Sequence, residues 1–265
     1  MDHDVVGLWT RAAETYETEV PYFRLMGERI VELAALQPGE SVLDVACGKG
    51  ATLLPAARAV GPSGQVTGID IVPAMVEAAR SAAVAAGITN VRVEVMDGET
   101  LEFAENSFDA AICAFGLGFM RPDVALVEIA RVLWHPGRLI ASAPAGGGPD
   151  WAFFGELCAR YGLESSAHPG GTNLPAPADM PRMFASVGFT LDPPVFDSVT
   201  VLFPDAEAWW RWVWSHGQRA FLEHLPADRV GAFREDANVA LASFTTPQGI
   251  PLEQQFVVLT AHRAG

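Results

Sequence analysis

The sequence predicts an α/β fold: a doubly wound, mostly parallel, Rossmann-like sheet. Two observations carry that expectation. Short, nearly continuous runs of Val, Ile, Leu and Ala recur at Ser41–Val45, Gln65–Ile69, Val91–Val95, Phe108–Ala114 and Arg138–Ala143. Between them, Leu53–Val60, Pro73–Ala86 and Val124–Leu133 show apolar residues at helical spacing. A strand that is apolar at every position must be covered on both faces, and parallel neighbours need crossovers, here helices of the usual right hand.

The remaining elements follow in chain order. Residues 1–36 read as a helical arm, with Val5, Leu8 and Trp9 near its start and a break at Pro21. A second helix there carries Leu25, Met26, Ile30, Leu33 and Leu36, and Gln37-Pro38-Gly39-Glu40 is a turn. Residues 37–145 form the strand-and-helix core. Residues 146–203 complete it, with a helix at Trp151–Tyr161, a loop through His168–Asn173, a helix at Met180–Ser186 and a strand at Val195–Phe203. Residues 204–248 form two helical segments rich in Trp and Phe, a cap before the last strand in 249–265, centred on Gln255–Ala261. All of it fits one domain, 1–265.

Composition narrows the partners. Half of the 265 residues are hydrophobic and 18% are charged, enough apolar mass for a sizeable core. The formal net charge of -15, with 17 Lys+Arg in no run, disfavours nucleic acid and anionic membranes. The acidic first twenty residues lack a signal-peptide core, and no apolar stretch reaches the roughly 18–20 residues a membrane span needs. Cys47, Cys113 and Cys158 are odd in number and widely spaced, which suits a reducing, cytoplasmic setting and offers no metal site.

Three acidic positions and one glycine loop carry the chemistry. The first strand ends at Asp44 and leads through Ala46, Cys47, Gly48 and Gly50 into a helix. Glycines here allow a sharp bend and close approach of a ligand to the main chain, although Gly-x-Gly alone is also an ordinary turn. Asp70 closes the second strand, where a carboxylate can accept from both ribose hydroxyls. Asp97, followed by Gly98, closes the third strand, placed to meet an adenine amino group. Each Asp alone reads equally well as a cap or turn residue. In a parallel sheet, however, all three strand ends lie on the ligand-binding edge.

In these motifs, together with Phe108-Asp109 and Glu128–Leu133 followed by Pro136-Gly137, the chain resembles the class I S-adenosylmethionine-dependent methyltransferases of small-molecule, secondary-metabolite type. The resemblance covers roughly residues 40–145. It implies a seven-stranded sheet with the last strand antiparallel, and S-adenosylmethionine as cofactor with S-adenosylhomocysteine as product. It further implies that Asp44 and the Gly48–Gly50 loop meet the methionine end and that Asp70 meets ribose, with Asp97 at adenine. Ile71 and Met75 would pack on the adenine ring, and Ala114-Phe115 would lie beside the methionine. Ala46 departs from the family's glycine, which is acceptable if it keeps a negative φ. Lys49 reads as exposed rather than paired with the cofactor carboxylate, and His135 as a surface turn residue.

Outside the core, Tyr16, Tyr22 and Phe23 are placed to form a lid over the cofactor or merely to anchor the arm. In the segment 209–216, Trp209, Trp212, Val213 and His216 share one helical face; Trp210 and Trp214 share its neighbour, and Arg211 and Ser215 fall on a polar stripe. Phe119, Trp209 and Trp212 are the candidates for acceptor binding, and His216, then His168, for a general base. The expected function is methyl transfer to oxygen, nitrogen or carbon of a small, largely apolar or aromatic acceptor. The alternatives are non-methylating chemistry on bound S-adenosylmethionine, or a non-catalytic partner subunit. NAD is disfavoured because Leu53 stands where the third glycine of its fingerprint belongs. The apolar cap and arm also leave room for a homodimer contact.

Overall fold

A computed structural model describes residues 3–13, 15–16, 20–147, 149–162, 174, 179–215 and 219–264. Its sheet runs β3 (Val91–Val95), β2 (Gln65–Asp70), β1 (Ser41–Val45), β4 (Phe108–Ala114), β5 (Leu133–Gly147), β8 (Ile250–Arg263), then β6 (Phe189–Leu191), with β7 (Val195–Phe203) also on β8. The first five positions pair in parallel; β8 is antiparallel to β5, β6 and β7. The strand order reverses between β1 and β4, so their carboxyl ends open a crevice at that point.

Seven positions were expected, and eight strands fill them. β6 and β7 follow one another along the same edge of β8, with Leu191 opposite Ala261 and Val195 opposite Val258. Pro193 and Pro194 lie between them, and a residue without an N–H cannot continue the ladder. β6, at three residues, is too short for alternation to reveal it. β5 and β8 both exceed their expected ranges because each lends the other a long antiparallel partner, from Arg138 opposite His262 to Pro144 opposite Phe256.

Helices cover both faces. α3 (Leu53–Val60), α4 (Pro73–Ala85) and α5 (Pro122–Val132) make the crossovers, the last two starting at a proline whose missing N–H costs nothing there. α2 (Tyr22–Ala34) buries Tyr22, Met26, Gly27, Ile30, Val31 and Ala34, one stripe at helical spacing. That stripe joins α3, the inner face of the sheet and the cap in one apolar cluster, while α5 and α7 (Met180–Ser186) close the other face. α6 (Ala152–Arg160) and the cap helices α8 (Ala206–Trp214), α9 (Arg219–His224) and α10 (Ala227–Leu241) complete the first cluster. The cap thus has three helices where the apolar spacing suggested two, because Pro226 begins a new one. Among the described residues no helix is long and apolar enough to cross a membrane.

Gly27 sets how closely α2 approaches the loop after β1. A Cβ there would lie 2.3 Å from the Ala51 carbonyl oxygen. That contact is with backbone and cannot be relieved by a rotamer. Gly27→Ala should therefore cost about 1–3 kcal/mol by overpacking, measured by urea unfolding; an unchanged midpoint would show that α2 can shift freely.

Candidate active site

The crevice at the ends of β1, β2 and β4 is a cavity whose lining combines a glycine turn and a carboxylate with aromatic side chains. Part of its wall is the turn after β1. Ala46, Gly48 and Gly50 all have positive φ (57°, 53° and 95°), so the chain doubles back. The Cys47 N–H donates to the Ile69 carbonyl at 2.9 Å, and Gly50 N–H donates to the Cys47 carbonyl at 2.9 Å. Ala46 therefore does not keep the negative φ on which its tolerance was premised; it adopts the left-handed conformation, which costs an L-residue on the order of 1 kcal/mol. Room for its methyl comes from Gly116, whose own Cβ would stand 2.7 Å from it.

Asp70 joins this turn to β2. One carboxylate oxygen accepts from Gly48 N–H and the other from Val72 N–H, each at 2.9 Å. Burial pushes its carboxyl up from the usual range, and these backbone donors oppose the shift. Asp44 lies behind the turn, fully buried, and contributes no surface to the cavity. Its Oδ2 accepts from the Thr52 hydroxyl at 2.7 Å, while Oδ1 is buried without a partner. Burial, opposed by Thr52 and reinforced by the charge at Asp70, pushes Asp44 up to about 7. Burial also holds the Cys47 thiol well above its ordinary range, which removes it as a nucleophile near neutrality.

Among the other expected cofactor residues, Ile71, Met75, Gly98, Ala114, Phe115 and Tyr22 line the cavity with Ala46, Cys47, Gly48 and Asp70. Gly50 and Asp97 do not. Gly50 shapes the turn from beneath. Asp97 Oδ1 accepts from Glu99 N–H at 2.9 Å, the turn-forming role open to any Asp at a strand end. A side chain at Gly48 would meet nothing within 4 Å, so it would project into the cavity. An open glycine turn and a carboxylate on the wall suit a ligand with hydroxyl groups that approaches the main chain closely, as the ribose of S-adenosylmethionine does.

Aromatic side chains make up much of the rest, and Trp9 and Tyr16 pack on Ile71, Val72 and Met75 beside Asp70. Phe119, Trp9, Tyr16, Phe23 and Phe115 form a continuous series, with centroids 5.3 Å (Phe119–Trp9), 5.8 Å (Trp9–Tyr16), 4.9 Å (Tyr16–Phe23) and 5.8 Å (Phe23–Phe115) apart. Lys49 is half-buried rather than exposed; its ammonium donates to the Tyr16 carbonyl at 2.8 Å and ties the arm to the glycine turn. α1 (His3–Ala12) is fastened to the cap as well, through Arg11 to Glu223 at 3.2 Å and Arg219 to Glu223 at 2.7 Å.

Trp212 lines the cavity and packs on Tyr22, Trp151 and Phe203. Trp209 does not reach it. One turn earlier on α8, it is wholly buried against Phe153 and Phe154. Trp210 packs on Phe233, so both aromatic faces of α8 are covered by this chain, and Ser215 of the supposed polar stripe is buried with its hydroxyl on the Trp212 carbonyl. His168 and His216 lie outside the described residues. The sequence reading missed Ser142 and Gln254, buried polar residues on the cavity wall. The available signal was a polar residue at an inward position of a buried strand.

Comparison with known proteins places the chain. A family model described as a methyltransferase domain matches residues 42–137. Aklanonic acid methyltransferase DauC of Streptomyces sp. (strain C5) is 41% identical over 143 residues, 53% of this chain and 64% of that protein. Nocamycin O-methyltransferase of Saccharothrix syringae is 33% identical over 242 residues, 85% of this chain and 86% of that one. The chain belongs to the S-adenosylmethionine-dependent methyltransferases. The YcgJ protein of Bacillus subtilis shares the methyltransferase's fold, with a TM-score of 0.62 at 20% identity over 91% of this chain and 99% of that one.

Asp44 gives this methyltransferase a testable pH dependence. Its carboxyl titrates near 7 in the folded, unliganded chain and near its ordinary 3.8 when unfolded. The stability it contributes is complete below pH ~4 and is lost as pH rises to ~7, at most on the order of 4 kcal/mol. Asp44→Asn should remove that loss, so its advantage over the wild type in denaturant unfolding should grow between pH ~4 and ~8. A constant gap would mean that Asp44 titrates normally.

Proposed function

We propose that this methyltransferase transfers a methyl group to an oxygen of a small, apolar, ring-bearing acceptor in secondary metabolism. One observation carries the reading: a single cavity is lined both by the glycine turn with Asp70 and by aromatic side chains. The name of the relative aligned over 85% of the chain supports oxygen as the atom. Bound S-adenosylmethionine supplies an activated methyl carbon, so alignment and exclusion of water fall to the protein.

In this reading Asp70 holds the ribose, with Ile71, Met75 and Gly98 around the adenine. Gly48, Ala46 and Cys47 face the methionine end, beside Ala114 and Phe115. Asp44 acts through Thr52 and the turn, and Gly50 and Asp97 act by shaping their loops. Phe119 and Trp212 hold the acceptor, and the arm, through Tyr22, closes over the cofactor. His216, four residues after Trp212 in sequence, serves as the base, with His168 as the alternative.

Incubation with methyl-labelled S-adenosylmethionine and a panel of phenols and enolised ketones should place label in an aryl or enol ether product. Label that never leaves the cofactor, despite measurable S-adenosylhomocysteine binding, would refute methyl transfer to this class. Asp70→Asn should weaken S-adenosylhomocysteine at least about tenfold by calorimetry, from loss of a charged hydrogen-bond acceptor. Trp212→Ala should leave that affinity within about twofold and lower kcat/KM for the acceptor, the pattern of a lost acceptor contact. Trp209→Ala should instead cost about 3–5 kcal/mol of stability, as buried Trp truncations do. Replacing the base should remove the acidic limb of the pH–rate profile; an unaltered profile in both His216→Ala and His168→Ala would exclude both.

A further inference from the structure

The inner face of the sheet is apolar except where it meets the cavity. Side chains two apart on a strand share a face. On β4 that face reads Ala110, Ile112 and Ala114; on β5, Ile140, Ser142 and Pro144; on β8, Val258, Phe256 and Gln254. Ser142 and Gln254 are 3% and 7% exposed, and both line the cavity. A polar group buried in an apolar wall costs about 1–3 kcal/mol unless its hydrogen bonds are completed.

The protein completes only part of them for Ser142. Its Oγ accepts from Phe115 N–H at 3.2 Å. The hydroxyl hydrogen therefore points elsewhere, and among the described residues it has no acceptor. The Gln254 amide nitrogen donates to the Gln255 carbonyl at 3.0 Å, which fixes the amide plane against the wall. Both residues lie on the β5–β8 side of the crevice, away from the Asp70 carboxylate on β2.

We infer that the Ser142 hydroxyl donates to a carbonyl oxygen of the acceptor, so that the enzyme selects an oxygenated ring system over its deoxygenated analogue. Gln254, opposite Gly147 where Ser142 is opposite Val258, is a separate polar position farther along the same wall. The hydroxyl offers a proton and needs a ligand atom that accepts one; a ring carbonyl does so without bringing a charge into an apolar wall. The subsite rests on the proposed apolar acceptor and adds to it a polar anchor beside Phe115. A site that must hydrogen-bond its ligand discriminates strongly, because the analogue leaves buried groups unpaired.

α-Tetralone and tetralin, which differ in the carbonyl, test this on the full chain saturated with S-adenosylhomocysteine, by quenching of tryptophan fluorescence. The wild type should bind the ketone at least about tenfold more tightly. Ser142→Ala should remove most of that preference by weakening the ketone alone, whereas Gln254→Leu should leave it largely in place, with S-adenosylhomocysteine affinity, read by calorimetry, reporting that each variant is folded. Equal binding of the two probes by the wild type, or equal losses of both in Ser142→Ala, would overturn the subsite while leaving an apolar acceptor in place. Binding of neither probe would overturn the subsite and the apolar acceptor together.

Discussion

The Asp70 carboxylate is the constraint on which the site depends. It occupies the end of β2 and takes one backbone N–H from the turn after β1 and one from the start of the next crossover. Those two donors fix three chain segments relative to one another. The turn itself is unfavourable, with Ala46 in the left-handed region and Gly48 and Gly50 beyond it. A conformation of that kind persists only where its surroundings over-determine it. Here the surroundings are Asp70, the Cys47-to-Ile69 hydrogen bond, and the space that Gly116 leaves for the Ala46 methyl. Asp44 adds to the tension, since two carboxyls share one poorly hydrated corner. Binding surface has been kept at a cost to the stability of the empty protein.

Around that rigid corner the aromatic residues do a different task. The cap side chains are mostly interior: Trp209 meets Phe153 and Phe154, Trp210 meets Phe233, and Trp212 meets Trp151 and Phe203. Only Trp212 among them also lines the cavity. The indole nitrogens of Trp151 and Trp209 are buried without partners, so the cap gains from packing more than from polar pairing. The first segment of the arm adds polar ties, Lys49 to the Tyr16 carbonyl and Arg11 to Glu223, to the aromatic contacts of Trp9 and Tyr16. Exposed ion pairs of the second kind are weak, so the apolar contacts carry most of its hold.

Most of the sheet was legible because its strands are short and rich in Val, Ile, Leu and Ala, and are separated by stretches at helical spacing. The misreadings have specific physical causes. Helical spacing puts Trp209 and Trp212 on one face, yet three residues also means most of a turn along the axis, and only the later one reaches the cavity. Asp97 resembles Asp70 in position, but its carboxylate turns back onto its own loop. The sign of φ at Ala46 depends on a glycine seventy residues away and cannot be seen locally. Lys49 looked solvated because its partner is a main-chain carbonyl, which carries no sequence signature. Ser142 and Gln254 were hidden for a related reason: their meaning depends on which side of a strand faces the ligand.

The close seat of α2 has a consequence for the shape of the cavity. Gly27 brings this helix against the Ala51 carbonyl, and Arg29 on the same helix is paired with Asp197 of β7 at 2.7 Å. Fastened at both sides, α2 acts as a door jamb: Tyr22, Phe23 and Met26, which it presents to the cavity, stand at a distance from the glycine turn that is set by a missing methyl group. The width of the opening is thus written into a helix outside the sheet.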